Sequence, residues 1–284
     1  MSDSGQPVSE TSSALDALNR VLDTFGTMAV AVSGGVDSLT LATLVHRRMA
    51  TPVQMFHAVS PAVPAQATER VKALGAREGW NLTIVDAAEF SDPLYRANPV
   101  NRCFYCKSHL YDAIAGHTTS QIVSGTNLDD LGEYRPGLDA AKSRAVRHPY
   151  VEARIGKQSL REIARSLGLG ELAELPASPC LSSRIETAIV IEPDVLELVD
   201  SIETFVRQAI SAATVRCRVR ADGMVIELDA ASLAALSVAE EADIRANVKS
   251  YMERSGRSYG LEFESYRNGS AFAHDPAKCT VALP

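Results

Sequence analysis

Met28-Ala29-Val30-Ala31-Val32 runs directly into Ser33-Gly34-Gly35-Val36-Asp37-Ser38, and the apolar-periodic Leu39, Leu41, Ala42, Leu44 and Val45 follow. An apolar run, a glycine turn fenced by serines and an aspartate, and then helical periodicity predict strand, tight loop and helix. Such a loop is built to cradle an anion. Its glycines let backbone N–H groups approach a phosphate, Ser33 and Ser38 add hydroxyl donors, and the positive end of the helix dipole favours negative charge. No lysine stands in the loop, so it does not match the Walker A pattern, in which lysine reaches the terminal phosphates. An ordinary glycine-bearing turn would leave both serines and Asp37 unexplained.

Outward from this loop, strands alternate with helices. Residues 1–12 read as a disordered polar lead, and Ala14 to Phe25 as an amphipathic helix. Val53 to Ser60 is a second strand, Pro64 to Glu78 a helix and Leu82 to Val85 a third strand. Asp92 to Arg102 is loop, Cys103 to His117 a helix, and Gln121 to Ser124 a strand ending in Gly125-Thr126-Asn127. Leu128 to Gly137 is charged and turn-rich, and Lys157 to Leu167 is a helix. This alternation predicts parallel βαβ units, hence an α/β fold with a doubly wound parallel sheet over residues 13–184. Ligands of such sheets sit beyond the carboxyl ends of the strands, where Ser33 to Ser38 falls.

Near Arg184 the composition shifts, and residues 185–284 are expected to form a smaller C-terminal α+β domain for substrate binding or oligomerisation. Its elements are a helix from Glu192 to Ala212, strands Thr214 to Arg220 and Met224 to Asp229 around the hairpin turn Ala221-Asp222-Gly223, a long helix Ala231 to Arg254, and a strand Gly260 to Ser265.

The chain has 284 residues and a net charge of −7, which argues against a general polyanion binder because such affinity rests on clustered Lys and Arg. No nucleic-acid partner is expected. No apolar run approaches a membrane span and the first residues lack the apolar core of a signal peptide, so the expected location is cytoplasmic, without a membrane partner. Five cysteines in a chain this long do not make a secreted disulfide framework.

The Ser-Gly-Gly-Val-Asp-Ser loop resembles the signature of the PP-loop ATP pyrophosphatases, which include NAD and GMP synthetases and tRNA-thiolating enzymes. In that group, of adenine nucleotide hydrolase-like fold, ATP is split between its α- and β-phosphates and AMP passes to a substrate oxygen. Further stretches narrow the likeness: Asn101-Arg-Cys-Phe-Tyr-Cys-Lys107, Gly125-Thr-Asn-Leu-Asp-Asp-Leu-Gly-Glu-Tyr-Arg-Pro-Gly137, Pro176-Ala-Ser-Pro-Cys-Leu-Ser-Ser-Arg184 and Tyr266-Arg-Asn-Gly-Ser270. With them the chain, from about residue 14 to about residue 275, resembles the LarE family of ATP-dependent sacrificial sulfur transferases. The resemblance implies adenylation of a carboxylate of a pyridinium dicarboxylate mononucleotide, toward the nickel-pincer nucleotide cofactor of lactate racemase. A cysteine then captures the acyl group as thioester and gives up its sulfur, becoming dehydroalanine. In a related branch, three cysteines hold a 4Fe-4S cluster that carries an extra sulfide instead. A homo-oligomer and a small nucleotide substrate are also implied, with ATP and Mg2+ as cosubstrate and metal.

Cys180 matches the sulfur donor, and the adjacent Arg184 favours the thiolate, which is the nucleophile. Cys103 and Cys106, three apart on one helical face, leave two readings open: cluster ligands together with Cys180, or structural residues beside a Cys180 consumed alone. Ser33, Gly34, Gly35, Asp37 and Ser38 would hold the phosphates, and Gly125, Thr126 and Asn127 the adenine or ribose. Asp129 and Asp130 suit magnesium or polar ligand atoms, and Arg135 a phosphate. Between Arg135 and Arg165, eight basic residues stand against three acidic ones, a field suited to an anionic substrate. Ser183 and Arg184 would contact substrate. Arg216 and Arg218 alternate on one strand, so both face one side, and by resemblance they grip the substrate phosphate. Glu203 matches a metal-binding glutamate by register, with Asp229 as its partner acid. One departure stands out: after Arg184 the family has an aromatic-glycine step, and here the chain reads Ile185-Glu-Thr-Ala-Ile-Val-Ile191. Cys217 and Cys279 read as structural. Outside this family, a PP-loop amidotransferase, a tRNA thiolase and a non-catalytic nucleotide sensor are the rival classes.

Overall fold

The computed structural model describes residues 10–48, 52–132, 135–267 and 269–271. In chain order its helices and strands begin with α1 (Glu10–Leu22), β1 (Met28–Ala31), α2 (Val36–Arg48), β2 (Gln54–Ala58), α3 (Ala65–Glu78) and β3 (Asn81–Val85). Then come α4 (Pro93–Arg96), α5 (Arg102–Ala115), β4 (Gln121–Ser124), α6 (Pro136–Ser143), α7 (Pro149–Glu152) and α8 (Lys157–Ser166). The remaining described elements are α9 (Pro193–Ile210), β5 (Val215–Arg220), β6 (Gly223–Leu228), α10 (Ala230–Ala235), α11 (Val238–Arg254) and β7 (Leu261–Ser265). Two compact units form: Met1–Val59, Gln66–Ala87 and Cys106–Ser178 make one, and Ser60–Ala65, Ala88–Tyr105 and Pro179–Pro284 the other.

In the first unit four parallel strands pair in the order β3-β2-β1-β4. Alternate β1 side chains go to opposite faces, and both faces are covered, so all four residues are buried. Met28 and Val30 join a core with Leu18 and Leu22 of α1, Leu41 and Val45 of α2, and Leu160 and Ile163 of α8. Ala29 and Ala31 join the other core, with Phe56 of β2, with Tyr111 and Ile114 of α5, and with Ala141 of α6. That is the doubly wound arrangement expected from the alternating elements. Chain order reverses direction between β1 and β4, so the loops leaving those two strands stand side by side at the switch point.

The second unit carries a sheet of order β5-β6-β7. β5 and β6 are antiparallel around Ala221 and Asp222, with Arg220 opposite Gly223. Gly223 has φ +152°, and a Cβ there would lie 2.9 Å from the Gly260 carbonyl oxygen, so only glycine fits. β7 is parallel to β6, and α10 and α11 supply the crossover this requires. On α9, Val195, Leu196, Val199, Ile202 and Val206 form one buried stripe at helical spacing.

Local chemistry moves several expected boundaries. The single helix over residues 231–254 is two helices, because Leu236 is extended and Ser237 restarts the chain with a capping box closed by Glu240. Within the expected loop 92–102, α4 forms a turn with Pro93 at its first position and Asp92 accepting the Leu94 N–H at 2.8 Å. Residues 10–12 of the expected lead open α1, and residues 1–9 and Cys279 lie outside the described residues. The last division between the units falls at Ser178/Pro179, so Cys180 belongs to the second unit. Residues 60–65 and 88–105 join it because the C-terminal half satisfies their polar groups. Leu181 N–H donates to the Ala62 carbonyl at 2.8 Å, Ile191 N–H to Arg96 at 2.9 Å, and the Asn98 amide to Glu186 at 2.9 Å. Among the described residues, no helix is long and apolar enough to cross a membrane.

Candidate functional site

In the first unit, the turn after β1 is closed by its own serines. Ser38 Oγ accepts the Ser33 N–H at 3.0 Å, donates to the Gly35 carbonyl at 3.1 Å and lies 3.1 Å from Ser33 Oγ. Gly34 has φ +84°, and a Cβ there would sit 2.6 Å from the Ala67 carbonyl oxygen. A Cβ on Gly125 would sit 2.8 Å from Ser38 N and 2.9 Å from the Asp37 carbonyl carbon. The two expected glycine loops therefore meet backbone to backbone at the switch point, against the N-terminus of α2, whose first N–H groups have no intrahelical acceptor.

The charge missing from the loop comes from elsewhere in the chain. Lys157 Nζ lies 2.6 and 2.8 Å from the two carboxylate oxygens of Asp37, 120 residues away in sequence. The pair is partly open to solvent, with side chains 34% and 28% exposed. Lys157 is aimed by the other loop: Asp129 accepts its backbone N–H at 2.8 Å, and the Asp129 carboxylate lies close over Gly156, where a Cβ would meet Oδ1 at 2.9 Å. In the sequence Lys157 stands out only as one of a basic stretch and as the Gly-Lys step that opens α8. Arg70 Nε adds a bond to the Gly34 carbonyl at 3.1 Å, and burial lowers its pKa.

Asp130 accepts the Asn127 N–H at 3.0 Å and pairs with Arg135 at 2.9 Å, while Asn127 Oδ1 accepts the Asp129 N–H at 3.0 Å. Thr126 Oγ1 and His148 Nδ1 lie 3.1 and 2.8 Å from Ser124 Oγ. Burial lowers the His148 pKa, so near neutral pH it is an uncharged hydrogen-bonding partner.

In the second unit, Cys180 is a half-buried thiol immediately before a 3-10 turn, Leu181–Arg184. Arg184, 2% exposed, grips the 1% exposed Glu203 bidentately, Nε to Oε1 at 2.8 Å and Nη2 to Oε2 at 3.0 Å. Burial alone would lower the Arg184 pKa; the bonds to Glu203 override it and raise the value. For Glu203 burial opposes ionisation, and the Arg184 hydrogen bonds outweigh it, so the pKa falls. Glu203 also accepts from Arg207 at 2.7 Å and from the Cys217 N–H at 2.9 Å.

Arg216 and Arg218 do lie on one face of β5, with different surroundings. Arg218 is buried and donates to Glu227 at 2.9 Å and to the Ser183 carbonyl at 2.8 Å, whereas Arg216 is half-buried with its guanidinium 5.9 Å from the Tyr266 ring centroid. Burial, and then the Arg184 charge, lower the Arg216 pKa. Asp229 caps α10, accepting from Ser232 N–H and from Thr214 N–H at 3.0 Å each. Cys217 is fully buried and its thiol is pushed well up by burial. Cys103 and Cys106 are half-buried thiols in the first turn of α5. Among the described residues, no three His, Cys, Asp or Glu are gathered so that they could hold a metal ion.

No family model matches the chain. It is 34% identical over 200 residues to the uncharacterized protein slr1717 of Synechocystis sp., across 69% of this chain and 74% of that protein. To the pyridinium-3,5-bisthiocarboxylic acid mononucleotide synthase of Lactiplantibacillus plantarum it is 28% identical over 211 residues, 72% of this chain and 76% of the synthase. With a subunit of the glutamine-hydrolyzing GMP synthase of Methanopyrus kandleri it shares 26% over 202 residues, 65% of this chain and 63% of that subunit. Taken with the glycine loops meeting where the parallel sheet changes direction, these likenesses establish that the chain belongs to the PP-loop ATP pyrophosphatase superfamily, in one family with slr1717.

Proposed function

We propose that this chain is an ATP-dependent sulfur transferase that adenylates a carboxylate of pyridinium-3,5-dicarboxylate mononucleotide and installs sulfur from Cys180. The observation that carries the reading is the setting of Cys180: a half-buried thiol at the head of a turn whose following arginine is buried, charged and locked by Glu203. The likeness to the Lactiplantibacillus plantarum synthase supports it.

In this reading the Ser33–Ser38 loop and the N-terminus of α2 receive the phosphates, and Gly125, Thr126 and Asn127 the nucleoside. Asp37, partly open to solvent and balanced by Lys157, would hold Mg2+, which supplies charge neutralisation on the phosphates when bound. The substrate carboxylate oxygen attacks the α-phosphorus and pyrophosphate leaves. The Cys180 thiolate then displaces AMP from the acyl carbon, giving a thioester. Arg216 meets the substrate phosphate. Arg218, spent on Glu227 and the Ser183 carbonyl, positions the strand and turn beside it. Breaking the Cβ–S bond of Cys180 delivers the sulfur as a thiocarboxylate and leaves dehydroalanine.

The test combines pyrophosphate release with intact mass before and after turnover with ATP and the dicarboxylate mononucleotide. The expected result is substrate-dependent pyrophosphate and loss of one H2S equivalent at Cys180. Sulfur-bearing product with Cys180 intact, or turnover with ammonia or tRNA in place of sulfur transfer, would overturn the proposal.

A further inference from the structure

The peptide carbonyl of Cys180 is loaded with donors. Its oxygen accepts the Ser183 N–H at 3.0 Å, the Ser183 hydroxyl at 2.7 Å and Arg184 Nη1 at 3.2 Å. A 3-10 turn accounts for the first of these bonds and not for the other two. Arg184 Nη1 also donates to Ser183 Oγ at 3.0 Å and to the Pro179 carbonyl at 2.8 Å. A hydroxyl that accepts from a guanidinium is polarised and donates more strongly. This charge is 2% exposed and clamped by Glu203, so solvent screens little of its field.

Three donors, one of them cationic, on one carbonyl oxygen form the arrangement that stabilises negative charge developing there. Negative charge collects on a carbonyl oxygen when the adjacent Cα loses its proton. We infer that the Ser183–Arg184 cradle acidifies the Cα–H of Cys180 and so promotes release of its sulfur by elimination, a role that rests on the sulfur-transfer reading. In the step, water takes the Cα proton, and the C–H electron pair becomes the Cα=Cβ bond. The Cβ–S bond breaks, and its electron pair leaves on sulfur as the substrate thiocarboxylate. No oxidant or reductant is required. Ser183 and Arg184 thereby act on the protein's own reacting residue, and Glu203 is a positioning residue that holds Arg184 in place.

The test separates elimination from substrate chemistry. Native protein is arylated with dinitrofluorobenzene, and loss of the dinitrothiophenolate to give dehydroalanine is followed at each cysteine by peptide mass spectrometry, with Cys103 and Cys106 as internal references. Elimination at residue 180 is expected to be faster than at either reference and to fall about 100-fold in Ser183→Ala, the low end for a lost oxyanion donor. Ser183→Thr, which keeps the hydroxyl, should restore it, and Arg184→Lys should slow it. In parallel, Ser183→Ala with ATP and the dicarboxylate mononucleotide should accumulate thioester at Cys180. Equal elimination rates at residue 180 in wild type and Ser183→Ala, or no recovery in Ser183→Thr, would overturn the inference. If wild type never forms the thioester while aryl elimination stays fast and Ser183-dependent, the sulfur-transfer reading falls and the cradle stands.

Discussion

Replacing Glu203 by alanine should loosen the second unit. Its carboxylate takes four hydrogen bonds: two from Arg184, one from Arg207 and one from the Cys217 N–H. Arg207 is a third exposed and can turn to water, but Arg184 is 2% exposed and cannot. Breaking a buried pair by removing one partner strands the other charge and costs about 3–5 kcal/mol. That is a large part of the roughly 5–15 kcal/mol that holds a domain folded. With about 4 kcal/mol lost and about 2 kcal/mol per molar of urea, the midpoint should fall by about 2 M. Trp80, the one tryptophan, lies in the first unit and reports on that unit, so the assay for the second is alkylation of the fully buried Cys217 across a urea series. The double variant Arg184→Met/Glu203→Met should recover most of the loss, because no charge is then stranded. A Cys217 midpoint within about 0.5 M of wild type in Glu203→Ala, or a double variant as unstable as the single one, would refute the buried-charge argument.

Acid should reproduce part of this effect: the folded-state pKa of Glu203 is lowered, so its contribution is complete above the unfolded value of about 4.3 and is lost as pH falls through the lower folded value. Cys217 protection should be flat from neutrality down to about pH 5 and decline below that in wild type, with the decline weakened in Glu203→Gln. Lys157→Ala removes a partly exposed pair, so folding should change by less than about 1 kcal/mol, while affinity for a non-hydrolysable ATP analogue, read by calorimetry, drops about tenfold because the Asp37 carboxylate is left unbalanced in the loop; unchanged affinity would refute a part for the Lys157–Asp37 pair in nucleotide binding. Gly125→Ala should cost about 1–3 kcal/mol and impair analogue binding, since its Cβ meets the Ser38 backbone at 2.8 Å, whereas Gly132→Ala, with nothing within 4 Å of its Cβ, should be near neutral in both measurements.

What could be read along the chain was whatever depends on neighbours in sequence. The apolar run Met28–Ala31, the helical period after Ser38 and the Gly-Gly turn between them are local. They fix strand, loop and helix before any partner is known, and alternation of such units restricts the sheet to a parallel one. Cys180 with Ser183 and Arg184 was likewise visible as a cluster. Local capping was harder to read: Ser237 and Glu240 hold the box that breaks the last long helix, yet the surrounding composition is uniformly helix-forming.

The tertiary structure alone decided which distant charges meet. Lys157 reaches Asp37 across 120 residues because Asp129, accepting the Lys157 N–H, ties the start of α8 beside the loop after β1. Glu203 reads from the sequence as a metal ligand, and folding places it against Arg184, where two opposite charges buried together stabilise each other. Segments 60–65 and 88–105 join the second unit because its C-terminal half offers the acceptors and donors their backbones need. Periodicity records which side of an element is buried. It carries no record of which buried polar group will find which partner, since that match is made only when the chain closes on itself.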